Sequence, residues 1–340
     1  MSTKRTESLD TFSISSRRYI GGKSQLVDNI FKAIPYKYAG GTFMDVFAGT
    51  GVVADAALKQ YETVILNDLL YSNNIIYQAF FGHGKYSWSK LEAFAKEANS
   101  KVASKLPSNY FDKHFGGKYF SKQASKMIGH IRCEIESYNL TKRERFILLA
   151  SLIYSADRIA NTVGHYEAFR KSEKQFKPFQ FRLIKPYKEA SAVIYRQDAN
   201  ELVKSLSVDV AYIDPPYNSR QYSRFYHVLE NLAKWEKPKL EGVALKPPLE
   251  NLSEYCTVRA PEAFSNLIEN LDAKLIVVSY NNTYESKSSS SKNKITLAEI
   301  KSTLRKKGKT RVKEVQHKFF NSGKTNFPDH RELIFITETY

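Results

Sequence analysis

From Gly41 to Asp68 the chain reads GTFMDVFAGTGVVADAALKQYETVILND. An apolar run ends in a glycine turn, a helix-forming stretch follows, and a second apolar run closes the segment. The pattern predicts a strand that ends in its glycine turn by 51, a helix over 52–61 and a buried strand over 63–68. A β–loop–α–β unit of this kind opens a parallel, doubly wound sheet with helices packed on it.

The same rhythm returns late in the chain. SAVIYRQD (191–198), VDVAYID (208–214), NLDAKLIVVSYNN (270–282) and RELIFITE (331–338) read as strands. Near the start, SQLVDNIFKAI (24–34) places Leu26, Val27, Ile30, Phe31 and Ile34 at helical spacing, and Pro35 stops it. Between 80 and 190 the alternation lapses, and helical stretches such as TKRERFILLASLIYSADRIAN (141–161) mix with aromatic, basic connectors. The 340 residues suffice for one large α/β domain with an insertion, or for two domains. No internal repeat is visible, and SKSSSSKNK (286–294) is expected to be a mobile polar loop.

Charge narrows the partner. Fifty-two Lys and Arg stand against 35 Asp and Glu, a net +17. The excess is concentrated: residues 85–190 carry +11 and residues 285–318 carry +8. Two such blocks point to a polyanion, nucleic acid being the commonest. A solvated surface is the bland alternative. No apolar run approaches the ~20 residues of a membrane span, and the polar N-terminus has no apolar signal core. Cys133 and Cys256 lie far apart and form no ligand pattern, so a reducing cytoplasm is expected. HIRC (130–133) has no second pair, so no metal site is expected.

Two motifs carry chemistry. Gly49 and Gly51 let backbone approach a ligand closely and turn into the helix. Asp68, 17 residues past Gly51 at the tip of the next strand, suits ribose hydroxyls. Together they favour an adenosine-containing cofactor, although a sharp strand–helix turn needs the same glycines. Only Val52 and Val53 follow the second glycine, and GGKS (21–24) lacks the upstream strand and glycine of a phosphate loop. NAD and ATP are therefore disfavoured.

The second motif is Asp214-Pro215-Pro216-Tyr217, where prolines break a buried strand and fix a rigid turn. An aromatic amine is a poor nucleophile because its lone pair is delocalised into the ring. Acceptors on its N–H bonds draw the nitrogen towards tetrahedral geometry. The Asp214 carboxylate and the Pro215 carbonyl are two such acceptors, pre-aimed at developing positive charge. Tyr217 offers a face for stacking, and a base from a duplex must flip out to reach it.

RYIGGK (18–23), DVFAGTG (45–51), LND (66–68), QDA (197–199) and DPPY (214–217), in this order, resemble the Dam-like, alpha-class DNA adenine-N6 methyltransferases. SYNN (279–282) and the closing basic hairpin also look like that family. The likeness runs from Arg18 onward and is loose between 80 and 190. It implies a Rossmann-like α/β core with a mostly parallel sheet and an antiparallel last strand, using S-adenosyl-L-methionine. It also implies a mainly helical target-recognition insertion. Residues 1–80 then form the cofactor half, 81–190 the insertion and 191–340 the catalytic half. By the same resemblance Tyr19 and Lys23 line the cofactor pocket, Tyr19 standing where the family usually has tryptophan. Asp45, Phe47, Gly49 and Gly51 shape the methionine side, Asp68 holds the ribose, Asp198 lies near the cofactor adenine, and Asp214 borders cofactor and base alike.

ADRIANTVGHYEAFRK (156–171) and YNSRQYSRFYHVLENL (217–232) look closer to methyltransferases of FokI-type and NlaIII-type restriction–modification systems. Arg158, Asn161, Thr162, His165, Tyr166 and Arg170 form a cluster of donors and aromatics suited to base reading, gap filling or ordering a catalytic loop. A helix end closed by Gly164 with polar caps explains the same residues structurally. Arg220, Tyr222 and Arg224 follow the catalytic turn, where phosphate and base contacts are expected. The expectation is a monomeric, site-specific adenine-N6 methyltransferase of duplex DNA, whose cognate endonuclease is a genetic partner only. Cytosine-N4 methylation, an RNA base, a glutamine side chain and a non-catalytic DNA-binding relative remain alternatives.

Overall fold

In the computed structural model, residues 11–171, 176–281, 293–316 and 331–340 are described. Most of SKSSSSKNK lies outside them. Seven strands form one sheet: β1 (Thr42–Asp45), β2 (Thr63–Asn67), β3 (Ala192–Tyr195), β4 (Ser207–Ile213), β5 (Asp272–Asn281), β6 (Gly308–Gln316) and β7 (Arg331–Thr339). Their order is β3-β2-β1-β4-β5-β7-β6. The first five run parallel, and β7 runs antiparallel to both β5 and β6. The mostly parallel core with its antiparallel last strand is therefore present, as a Rossmann-like methyltransferase fold requires.

The order reverses at β1, with β2 and β3 on one side and β4 and β5 on the other. Ligands of open α/β sheets bind where connections diverge outside the strands' carboxyl ends. Here the glycine loop leaves β1, Asp68 follows β2 and Asp214 follows β4. Met44, Val46, Ile65, Ala211, Ile213, Ile276 and Val278 are buried in one core with Phe264, Leu267 and Leu304 from the covering helices. β6 puts exposed Lys309, Arg311 and Lys313 along the sheet's edge, a means of discouraging edge-to-edge pairing.

The chain divides into two compact units. The sheet unit comprises Gly21–Leu70, Ser191–Phe225 and Leu249–Tyr340. The helical unit comprises Tyr71–Ala190 with the segment ending at Ile20 and with Tyr226–Pro248. These units group residues by contact, whereas the expected division into 1–80, 81–190 and 191–340 is one of role, and the contacts have a physical reason. The helix Tyr71–Phe80 buries Ile75, Ile76, Tyr77 and Phe80 and packs on the long helix Lys142–Ile159. Glu230, from the helix His227–Lys234, accepts hydrogen bonds from the backbone N–H groups of Tyr71 (3.0 Å) and Ser72 (2.7 Å). It thereby caps the start of the helix at Tyr71 and brings a segment from beyond the catalytic turn into the helical unit. Thr141 and Glu144 form a capping box that starts Lys142–Ile159.

Candidate active site

The glycine loop is held by its neighbours in the sheet unit. Gly49 (φ +52°) and Gly51 (φ +80°) adopt left-handed conformations that side chains resist, and Gly51 N–H closes the turn on the Ala48 carbonyl at 2.7 Å. Gly49 N–H donates to Asp68 at 3.0 Å, and the other Asp68 oxygen accepts from Leu70 N–H at 2.8 Å. A carboxylate oxygen can accept more than one hydrogen bond. Buried Asn67 donates to the carbonyls of Val46 (3.3 Å) and Gln197 (3.1 Å) and accepts from Gln197 N–H at 3.0 Å. One amide thus ties the ends of the first three strands together. Asp198 is exposed and caps the short helix Ala199–Leu202. Phe47 packs edge-on against Tyr255 at 5.0 Å.

Asp45, at the end of β1, is 1% exposed. Among the described residues neither carboxylate oxygen has a hydrogen-bond partner by distance and angle, although the Ala54 amide is near enough to favour the charged form slightly. Burial, with Asp214 and Asp68 as neighbouring acids, pushes its pKa well above the ordinary range. An orphaned buried acid is costly and calls for a cation or donor to answer it.

β4 delivers Asp214. Two prolines follow, with no N–H to offer, and the Pro215 carbonyl takes no hydrogen bond among the described residues. The Asp214 side chain is 15% exposed, and its Oδ1 lies 3.1 Å from Lys23 Nζ. The same oxygen accepts from the Tyr217 hydroxyl, which in turn accepts from Lys23. Oδ2 takes no hydrogen bond among the described residues. One oxygen is therefore tied, while the other, like the carbonyl of the next residue, takes no hydrogen bond among the described residues. Burial raises Asp214 to about 6; Lys23 and the Tyr217 hydroxyl pull it down, and Glu332 pushes it up. Burial works against the Lys23 ammonium, yet Asp214 and Glu332 raise its pKa overall. The Tyr217 ring stands edge-on to Tyr280 at 5.1 Å, and its backbone carbonyl accepts from Lys294 N–H at 2.8 Å.

The expected cofactor residues Tyr19 and Lys23 fall in different units. Within the helical unit Tyr19 stacks on Tyr226 at 4.6 Å, with the buried Arg17 guanidinium 5.1 and 5.3 Å from the two rings. Of the expected nucleic-acid residues there, only Arg158 and Arg170 are exposed. Tyr166 is fully buried and donates its hydroxyl to Asp157 at 2.9 Å. Asn161 donates to the carbonyls of Lys118 (3.2 Å) and Arg170 (2.8 Å). Thr162 Oγ1 accepts from Gly164 N–H at 3.4 Å, and His165 Nδ1 accepts from Glu167 N–H at 3.3 Å. These four shape the segment after the helix, which ends at Ile159. In the sheet unit Arg220 N–H bonds Asn218, and its guanidinium lies 5.5 Å from the Phe225 ring. Tyr222 and Arg224 are half-buried.

Sequence reasoning missed Glu332, Arg17 and Asp157. Glu332 had a signal: an acid at the head of an apolar run that forms a buried strand. Among the described residues, no cluster of His, Cys, Asp and Glu suits a metal, and no helix is long and apolar enough to cross a membrane.

Residues 19–282 match the family model of the D12 class N6 adenine-specific DNA methyltransferases. The modification methylase StsI of Streptococcus sanguinis is 36% identical over 78% of this chain and 44% of its own length. The type II methyltransferase M.FokI of Planomicrobium okeanokoites is 31% identical over 77% of this chain and 44% of its own. The type II methyltransferase M.NlaIII of Neisseria lactamica is 27% identical over 92% of this chain and 95% of its own. The chain thus spans less than half of two of these relatives and nearly all of the third.

Proposed function

Since the chain belongs to the D12 class of N6 adenine-specific DNA methyltransferases, we propose that it methylates adenine N6 at a specific site in duplex DNA. It would do so as the modification enzyme of a type II restriction–modification system. The observation that carries this reading is the divided carboxylate of Asp214. Lys23 and Tyr217 fix Oδ1, leaving Oδ2 and the Pro215 carbonyl as two acceptors for the two N–H bonds of an exocyclic amine. Both gain strength as the nitrogen becomes positive, which is transition-state stabilisation rather than substrate binding. Tyr217 is the stacking face for the flipped base.

S-adenosyl-L-methionine fits the residues at the β1 and β2 ends. Asp45 is an orphaned buried acid suited to an ammonium group, the glycine loop admits close backbone approach, and Asp68 retains lone pairs for ribose hydroxyls. Asp198 and Phe47 would border the adenosine and methionine ends. When bound, the cofactor supplies a methyl group on a sulfonium, and no general base is needed before transfer. With the cofactor held there, Asp214 Oδ2 and the Pro215 carbonyl would orient the amine lone pair for that methyl group, the sulfur would keep the electrons of the bond it gives up, and the amine proton would pass to water. Exposed Arg158 and Arg170, with Arg220, Tyr222 and Arg224 after the catalytic turn, are the proposed DNA contacts. Asn161, Thr162, His165 and Tyr166 act by holding their segment. A monomer in the cytoplasm, with an endonuclease as genetic partner only, completes the reading.

Nucleoside mass spectrometry of duplex DNA treated with the protein and S-adenosyl-L-methionine tests it. N6-methyladenine at one sequence is the expected product. N4-methylcytosine, methylated RNA alone, or no product from correctly folded protein overturns it.

A further inference from the structure

The proposed chemistry leaves Glu332 without a task. It is 6% exposed near the start of β7, paired in register with Asn281 on β5 and Val315 on β6. Its Oε1 lies 3.9 Å from Lys23 Nζ, the ammonium that binds Asp214 at 3.1 Å. A buried carboxylate is costly unless it answers another charge. We infer that Glu332 is a positioning residue for methyl transfer: it balances the Lys23 ammonium so that the Asp214 pocket stays net negative where the target amine turns positive. This inference rests on the methyltransferase reading.

Charge counting gives the reason. Lys23 orients Asp214 but also cancels its charge, and a neutral pair does little for a developing cation. With Glu332 the three groups carry one net negative charge. Charges a few ångströms apart in a partly dry pocket interact far more strongly than in water. Among the described residues, the other titratable groups facing this cluster do not supply that charge. Tyr212, bonded to Ser279, and Tyr217 are kept protonated by burial. Burial and neighbouring acids likewise favour the neutral form of Asp45. The arrangement also divides labour within the cluster: Lys23 and Tyr217 aim the carboxylate, and Glu332 tunes its charge without touching the substrate.

Glu332→Gln keeps the shape and removes the charge. Single-turnover transfer at saturating DNA and cofactor is expected to slow roughly 10- to 100-fold. Cofactor and DNA affinities should stay within about twofold, as for an interaction that matters only in the transition state. Asp214 titrates at about 6, and Glu332 is one of the charges raising it. Its midpoint should therefore fall in Glu332→Gln and rise in Lys23→Met. Carboxyl NMR of the cofactor-free protein reads this, and the acid limb of the rate profile follows it. Glu332→Asp, which keeps the charge, should recover most of the rate. Glu332→Gln should cost less in a Lys23→Met background, since the ammonium it balances has gone. An unchanged rate and midpoint, or an equal cost in both backgrounds, overturns the inference. If the wild type makes no N6-methyladenine, the functional reading fails instead, while the midpoint in cofactor-free protein still tests the charge coupling.

Discussion

Two buried aspartates, one in each unit, are built from similar parts and put to opposite uses. Asp157 accepts from the Tyr166 hydroxyl at 2.9 Å on Oδ1 and from the Arg18 backbone N–H at 3.1 Å on Oδ2, with the Arg18 guanidinium 3.7 Å away. Asp214 also has a tyrosine hydroxyl and a basic side chain, but both converge on Oδ1. Asp157 spends both oxygens and Asp214 spends one. The surroundings account for the difference. Asp157 sits in the last turns of a helix, where neighbouring groups surround it, and Asp214 is followed by two prolines with no N–H to donate. Burial separates the two acids only in degree, with the Asp157 side chain 4% and the Asp214 side chain 15% exposed, and does not assign their roles. The unspent oxygen does.

Removing each acid tests that contrast most strongly. Asp214→Ala should leave the fold and DNA binding largely in place and slow transfer on the order of 100- to 1,000-fold, the scale of losing one pre-aimed polar group. Single-turnover kinetics, with 2-aminopurine fluorescence at the target to report flipping, separates the chemical step from base extrusion. Transfer at near the wild-type rate would make the turn at 214–217 merely structural.

Asp157→Ala should do the reverse. It strands the buried Tyr166 hydroxyl and removes the contact with the partly exposed Arg18 guanidinium, at a cost of about 1–3 kcal/mol in stability. The denaturation midpoint should drop, while transfer per folded molecule changes little. A mutant as stable as wild type but unable to methylate would collapse the contrast between the two acids.

Asp68 lies between these extremes, because each of its oxygens accepts a backbone N–H and a carboxylate oxygen can take more than one donor. Asp68→Ala should weaken S-adenosyl-L-methionine binding by roughly 1.5–3 kcal/mol, the worth of hydrogen bonds to a charged group. Calorimetry on the folded mutant measures it, and unchanged affinity would remove Asp68 from the cofactor site.

The sheet was legible because periodicity and turn chemistry agree. Apolar runs at 42–45, 63–67 and 207–213 end at glycine, aspartate or proline signals, and each forms a strand there. The unit boundaries were less so, since they follow from tertiary contacts such as Glu230 capping Tyr71 and Ser72, with Glu230 lying 158 positions after Ser72. In the candidate site, Lys23, Asp214 and Tyr217 came from motifs, and the structure brings all three together. Glu332 arrives from the last strand, and no local spacing links it to Lys23. In 156–171 the sequence showed a run of polar and aromatic residues but could not show which way each one faces.

That last ambiguity yields the smallest and most selective effect. Arg158 and Arg170 are exposed, whereas Asn161 and Tyr166, in the same short stretch, are buried and bonded to protein. If the exposed pair meets phosphates, each Arg→Ala change should release one fewer counterion and flatten the log–log salt dependence of DNA binding by about 0.9. Affinity should then fall about equally for cognate and unrelated duplexes, because phosphate contacts carry no sequence information. Asn161→Ala should leave the salt slope unchanged and lower thermal stability instead, since it frees the carbonyls of Lys118 and Arg170 from their donor. Anisotropy titrations at several salt concentrations, run beside thermal melts, separate the two behaviours. Equal slopes for Arg158→Ala, Arg170→Ala and wild type would mean that exposure alone does not mark the DNA contacts of the helical unit. The +11 carried by residues 85–190 would then act through other lysines and arginines of that block.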